Sequence, residues 1–368
     1  MDGERRMWRV ATRAAVAVGG VAFFILLSCG EAVLPQPTRW VERARFSGDI
    51  RRVEDLAVDT NGSVYFATEV RDNRAAIYRY DGSALKEVFR SRYPDSTFGS
   101  VGCGGGQIWA AGIKNEGAEE YAYCVRSDDG VIWEEVEVPA YLGVWYLSSV
   151  YPAADGTVWF YGGTKQDDAV YTYRDGEWRR HEETAGAYAL RLAVTARGRA
   201  FVYHYQHKVL KMLISDDGGA TWTRETVSLA NPQYNFKRPS RLKMATAGDT
   251  VYLLGQLNSK LEGFDLWSVI EREDVPPGQG RYYVAFASPH GEYFYKPSIM
   301  AFRSLHEGYV LGSQTSIRLE DGEWIKELIP ASWNPQFDAV AAGPQSYWAI
   351  AGSSEIYRDP VLYEATFE

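Results

Sequence analysis

Seven times along its 368 residues the chain repeats one unit: a small apolar run, a glycine-containing turn, then an aromatic or β-branched run. The second runs begin at Val64, Ile108, Val158, Ala200, Val251, Tyr309 and Tyr347, so successive starts lie 44, 50, 42, 51, 58 and 38 residues apart. The turns before them are Asn61-Gly62, Gly104-Gly105-Gly106, Asp155-Gly156, Arg197-Gly198, Gly248-Asp249, Glu307-Gly308 and Gly343-Pro344. A period of 40–50 residues built from strands and tight turns is the signature of propeller blades. Units of this length fill residues 38–368, which leaves no room for a second domain. The expectation is an all-β, seven-bladed β-propeller of four-stranded antiparallel blades. Six or eight blades stay open, because the fifth unit is long and the seventh short. No stripe of 3.6-residue period and helical length follows residue 30.

Such a ring has a physical rationale. One sheet cannot bury both of its faces alone, but sheets stacked around an axis cover one another. Strands near the axis need small residues, as in Leu56-Ala57-Val58 and Ala339-Val340-Ala341-Ala342, while outer strands have room for the 25 Tyr and 12 Trp. Ring closure also removes long open edges. Residues 40–46 and 361–367 both read as outer strands, and either could complete the closing blade.

The N-terminus speaks to location. Arg5, Arg6, Arg9 and Arg13 precede an uncharged run of 14 residues from Ala14 to Leu27, too short for a spanning helix and suited to an export signal. The run ends in Leu26-Leu27-Ser28-Cys29-Gly30, which resembles a bacterial lipoprotein signal. That resemblance implies cleavage after residue 28, a lipidated Cys29, and a short linker over residues 29–37 that keeps the body near the bilayer. Gly30 in place of Asp resembles the outer-membrane rather than the inner-membrane sorting pattern. The expected location is the bacterial cell envelope, outside the cytoplasm. Cys103 and Cys124 remain. An oxidising compartment allows them to pair, but they fall on strands with one other between them, too wide for a bridge unless a loop bends.

Ser215-Asp216-Asp217-Gly218-Gly219-Ala220-Thr221-Trp222 matches Ser/Thr-x-Asp-x-Gly-x-Thr-Trp at every defined position, through Ser215, Asp217, Gly219, Thr221 and Trp222. It resembles the Asp-box, or bacterial neuraminidase repeat. Partial copies occur at Ser127-Asp128-Asp129-Gly130 with Trp133, Arg174-Asp175-Gly176-Glu177-Trp178, Glu320-Asp321-Gly322-Glu323-Trp324 and Tyr80-Asp81-Gly82. The resemblance implies peripheral structural turns between the third and fourth strands of blades.

The family includes sialidases, so a sialidase-like glycoside hydrolase or a glycan-binding protein is the alternative function. The Arg-Ile-Pro start of that group is absent, although Arg51, Arg52, Arg191, Arg238, Arg241 and Arg303 stand near expected blade entrances. Paired carboxylates at Asp167-Asp168 and Glu119-Glu120 fall in expected turns and read as solvated surface. His204 and His207 point to opposite faces of a strand, which argues against a shared metal. No catalytic residue, metal site or cofactor is assigned. A formal charge of −9, more negative once residues 1–28 are removed, argues against nucleic acid as a partner.

The functional signal lies in the loops from the fourth strand of one blade to the first of the next. They are rich in Tyr, Trp and Arg, the residues enriched where proteins bind. The candidate binding residues are Trp145, Tyr146, Tyr234, Phe236, Arg238, Tyr283, Phe294 and Trp333. Residues 275–298 read as a long functional insertion. The expectation is a non-catalytic extracytoplasmic binding or scaffold lipoprotein that engages a protein or envelope complex through one axial face. In build it is similar to the propeller assembly factors of photosynthetic membranes.

Overall fold

The computed structural model describes residues 36–366 apart from residues 38, 47, 118, 187–188, 207–208, 232, 238–241, 260–264, 274, 290–294, 314, 329–336 and 353–358. Cys29, Arg238, Phe294 and Trp333 lie outside the described residues, as do Arg241 and His207. Two short strands come first, β1 (Gln36–Pro37) and β2 (Trp40–Arg45). Blade 1 is β3 (Ile50–Val58), β4 (Val64–Val70), β5 (Ala75–Tyr80) and β6 (Leu85–Arg90). Blade 2 is β7 (Thr97–Gly104), β8 (Gln107–Glu116), β9 (Glu119–Ser127) and β10 (Glu134–Val136). Blade 3 is β11 (Tyr146–Pro152), β12 (Val158–Gly163), β13 (Asp168–Arg174) and β14 (Glu177–His181). Blade 4 is β15 (Ala189–Val194), β16 (Ala200–Gln206), β17 (Val209–Ser215) and β18 (Thr223–Thr226). Blade 5 holds β19 (Tyr234–Phe236) and β20 (Lys243–Ala247), both paired with β21 (Thr250–Ser259), then β22 (Asp265–Arg272) and β23 (Tyr282–Pro289). Blade 6 is β24 (Tyr295–Ser304), β25 (Glu307–Ser313), β26 (Thr315–Glu320) and β27 (Glu323–Leu328). Blade 7 is β28 (Phe337–Ala342), β29 (Ser346–Ala351) and β30 (Val361–Thr366), with β2 as its outer strand.

The seven runs that mark the repeat are the second strands of seven blades, and the blades are antiparallel throughout. First strands abut around the axis from β3 through β28 and back to β3. The apolar core divides into seven clusters, one between each pair of neighbouring blades. Strand alternation produces this division. On β4, Phe66 packs toward blade 7 while Tyr65 and Ala67 pack toward blade 2. Fully burying a side chain the size of Phe66 contributes about 1.5–3 kcal/mol.

Closure uses both chain ends. Residues 361–366 form the third strand of blade 7 and residues 40–45 the fourth, so the blade uses both segments. Trp40 is buried against Tyr309 and Phe337, and its indole N–H donates to Ser316 Oγ at 3.1 Å. Gln36–Pro37 lies parallel to β27 on the edge of blade 6.

The turn at residues 215–222 joins the third and fourth strands of blade 4, as expected of its motif. Asp217 accepts from Thr221 N–H (2.9 Å), Thr221 Oγ (2.6 Å) and Ser215 Oγ (2.9 Å), while Gly219 N–H donates to Ser215 Oγ (2.9 Å). Gly219 has φ +86° and lies so close to His181 of blade 3 that a Cβ would sit 2.2 Å from its ring. Trp222 completes a trio with His181 and Trp159. The turn therefore fastens blade 4 to blade 3. Cys103 on β7 and Cys124 on β9 are free thiols with β8 between them. They face different interblade cores, and burial raises both thiols.

Candidate functional site: the axial mouth

Each first strand starts at the face reached by the loops from the preceding blade, and second-to-third strand turns share that face. On blade 3 these elements meet. Trp145 and Tyr146 enter β11 with ring centroids 6.3 Å apart, and Tyr146 stands edge-on to Tyr161 of β12. Both tyrosine hydroxyls donate to Asp168 at the start of β13, Tyr161 at 2.6 Å. Gly163 permits the approach, since a Cβ there would sit 2.6 Å from both Asp168 and the Tyr146 ring. Burial and the Asp168 carboxylate push the Tyr146 hydroxyl far up and that of Tyr161 up to about 12. Both phenols therefore stay neutral donors across the physiological range. Asp167 pairs with Arg180 at 2.8 Å, so Asp167-Asp168 is a half-buried polar cluster rather than the solvated surface expected. Glu119-Glu120 is exposed, as expected.

The inner strands set the electrostatics. Bulges interrupt β3 at Val53/Asp55, β7 at Phe98/Ser100 and β11 at Leu147/Ser149. Asp55 accepts from Ser100 Oγ (2.8 Å), Val101 N–H (3.2 Å) and Leu56 N–H (2.9 Å), and Ser100 Oγ accepts Val150 N–H (3.3 Å). Blades 1, 2 and 3 are thus tied at the axis. Burial pushes the Asp55 carboxyl up to about 6, against the opposing pull of those hydrogen bonds. Burial also raises Glu54, Arg52 pulls it down, and Glu69 and Asp338 add to the rise. Across the ring, Lys243 of blade 5 is lowered by burial and by Arg191 of blade 4. Tyr151 lies between the two regions, pushed up to about 12 by burial with Asp55, while Arg191 pulls the other way. Arg191 donates to the Leu190 carbonyl (2.7 Å), and among the described residues neither Arg191 nor Lys243 forms an ion pair with a carboxylate. The mouth is divided: blades 7 and 1 carry carboxylates, of which Glu54 is ion-paired with Arg52 at 3.1 Å, blades 4 and 5 carry the cations Arg191 and Lys243, and tyrosines of blade 3 stand between.

The sequence-derived candidates divide accordingly. Trp145 and Tyr146 form part of this mouth. Tyr234 and Phe236 lie on β19 at the same end of blade 5, half-buried against the core between blades 4 and 5. Tyr283 is misplaced by the sequence reading. It lies on β23, an outer strand, 39% exposed and at the end away from the mouth. The supposed insertion over residues 275–298 contains that fourth strand, Tyr282–Pro289, and the start of β24. Its aromatic alternation is a strand pattern. Arg303 is also displaced, since it sits near the end of β24 at the opposite face and donates to the Pro344 carbonyl at 2.8 Å. Tyr161, Tyr151, Asp55 and Lys243 were not singled out from the sequence, because each is one residue per repeat with no local motif. Among the described residues no group of three His, Cys, Asp or Glu could hold a metal.

No family model matches the chain and no curated protein is similar to it. Solved structures are. One described as YCF48 bound to D1 peptide has a TM-score of 0.57 at 12% identity, covering 91% of this chain and all of that one. The β-propeller domain of Cps50 (Swd1) from Myceliophteria thermophila scores 0.54 at 10% identity, covering 89% of this chain and all of that one. The SapL1 lectin in complex with α-methyl fucoside scores 0.44 at 12% identity, over 78% and 98%. The first two share the fold, and the chain is a seven-bladed β-propeller.

Proposed function

We propose that this chain is a non-catalytic binding module, held outside the cytoplasm by a lipid on Cys29, that engages a protein segment at its axial mouth. The observation that carries the reading is the division of charge across the mouth. Arg191 and Lys243 lie on one side, Asp55, Asp338 and the Arg52-paired Glu54 on the other, and Tyr151 is coupled electrostatically to Asp55 and to Arg191. Complementary potential steers a partner and fixes its register. A segment with one acidic and one basic group satisfies both sides. The neighbours fit a binding role: one is bound to a peptide and another is a propeller domain. The outer membrane is the proposed site of the anchor, from Gly30 after Cys29. Incorporation of labelled fatty acid, with Cys29→Ser as the blank, checks the anchor.

A photo-crosslinking residue at position 145 tests the mouth in native membranes. The expected result is a discrete protein adduct, lost at least tenfold in the Arg191→Glu/Lys243→Glu chain and retained with Tyr283→Ala on the outer rim. No adduct, or one indifferent to the charge reversal, overturns the reading. A glycan ligand or glycosidase is the alternative reading, with Asp55 on the inner strand of blade 1 as its candidate carboxylate. Saturable glycan binding that competes with no protein, or glycoside cleavage lost in Asp55→Asn, would establish that alternative.

A further inference from the structure

The outer edge of blade 2 differs from the other rims. β9 is nine residues long and its outer neighbour β10 only three. β10 pairs Glu134, Glu135 and Val136 with Arg126, Val125 and Cys124, then stops. Residues 119–123 of β9 are paired on the inner side with β8 and, among the described residues, have no strand on the outer side. Elsewhere the fourth strand covers more of the third: six residues against six in blades 1 and 6, eight against eight in blade 5. Alternate residues of such an edge turn both N–H and C=O outward, and those groups await a partner.

The cause of the truncation is visible. The indole N–H of Trp178 in blade 3 donates to the Glu137 carbonyl at 2.9 Å, and Val136, Val138 and Leu142 pack into the core between blades 2 and 3. The chain is drawn off β9 after Val136. A pocket of about 460 Å³ remains, lined by Arg92, Lys114, Tyr121, Tyr123, Glu135 and Val138 among others. Tyr121 is 40% exposed. The pocket's cations are already engaged: Lys114 by Glu135 (2.6 Å) and Glu116 (3.1 Å), Arg92 by Glu135 (3.1 Å). Glu119, Glu120 and Glu137 are exposed and, among the described residues, form no ion pair, although Glu119 accepts from the Tyr121 hydroxyl at 2.6 Å. The free charge around the edge is therefore negative.

We propose that this edge accepts an extended basic peptide segment as an added strand, antiparallel to β9 over residues 119–123 and in line with β10. Main-chain hydrogen bonds would supply affinity, and alternate side chains would meet Tyr121 and Tyr123 or the exposed glutamates. Five paired residues span about 17 Å. A second copy of the chain is a poorer occupant, since it would bring the same acidic edge against this one. The surface is separate from the axial mouth, so its test stands apart from that of the proposed function.

The probe is a fluorescent peptide, acetyl-Lys-Val-Lys-Tyr-Lys-Val-Lys-amide, titrated into the full chain in detergent. The expected result is saturable binding with slowed amide hydrogen exchange confined to residues 119–123. Binding should weaken at least tenfold with alternate amides of the probe N-methylated, and likewise with glutamate in place of its lysines. Glu119→Lys/Glu120→Lys/Glu137→Lys, all exposed positions that leave the core untouched, should lose binding tenfold. Arg191→Glu/Lys243→Glu should leave it unchanged. No binding, equal binding of the N-methylated probe, protection elsewhere, or concentration-dependent dimerisation through this edge would each overturn the proposal.

Discussion

Asp55 and His181 respond to acid in opposite senses. The Asp55 carboxyl is pushed from 3.8 up to about 6 by burial, so between those values the folded state binds more protons than the unfolded state. Stability from this group grows as pH falls through 6 and is lost again on ionisation. His181, 1% exposed beneath the Asp217 turn, is lowered from 6.5 to about 4 by burial and by Arg179. Here the folded state binds fewer protons, so the stability is present above about 6.5 and is lost as pH falls toward 4. Each shift is worth roughly 1–3 kcal/mol at full extent. The two windows overlap between pH 4 and 6 and their slopes offset. Asp55→Asn should therefore make stability fall more steeply on acidification, and His181→Gln should make it flatter or rising. Urea unfolding at pH 4.5, 5.5 and 7 measures the slope, which is insensitive to packing lost in either variant. Parallel slopes in all three proteins would refute the assignment. Neither effect was legible in the sequence: His181 gave no motif, and Asp55 acquires its partners Ser100 and Val101 only because bulged strands of two blades meet at the axis.

At the scale of elements, the repeat was legible and the departures from it were not. Runs such as residues 158–161 and 347–350 are continuously apolar or aromatic after glycine-containing turns, and that pattern suffices for a second strand buried on both faces. Fourth strands are half-exposed and irregular, so the Tyr-Tyr at 282–283 read as a loop. The turn before that strand, from residue 273 to 281, is held by an ion pair that sequence could not pair. Glu225 of β18 and Arg272 of β22 meet at 2.7 and 3.0 Å with side chains 2% and 1% exposed. Glu225 also accepts from Gly278 N–H, Gly280 N–H and the Tyr282 hydroxyl, while Arg272 donates to the carbonyls of Glu273, Val275 and Pro276. Breaking one side of such a pair leaves an uncompensated buried charge and costs about 3–5 kcal/mol. Glu225→Gln and Arg272→Met should each fall near that range by urea unfolding. The double variant should cost at least about 1 kcal/mol less than their sum. Additive losses would mean that the two side chains stabilise the turn independently.

For the whole molecule, the question is what closes the ring. Neighbouring blades share one apolar core apiece, so every blade packs on two others, and blade 7 reaches four strands only with β2 beside β28, β29 and β30. β1 and β2 bridge the joint from both sides: Gln36–Pro37 extends blade 6, and Trp40 binds Ser316, whose hydroxyl donates to buried Glu327 at 2.9 Å. The same Glu327 accepts from Tyr309 at 3.1 Å and lies 3.7 Å from buried Arg318. Opening the joint therefore exposes an apolar seam and a buried charge network together. The sequence placed strands at residues 40–46 and 361–367 but could not show that both were needed, because completing one blade says nothing about sealing its boundary with the next. Trp40→Ala should cost about 3–5 kcal/mol, as for other buried tryptophans. A chain beginning at residue 46 should unfold at a lower urea midpoint, with tryptophan fluorescence and far-UV circular dichroism no longer coincident, since blades beside the gap would loosen before the rest. Adding a peptide of residues 35–47 should restore the midpoint in a concentration-dependent way. A truncated chain with the same midpoint and coincident transitions would show that the ring closes without its N-terminal strand.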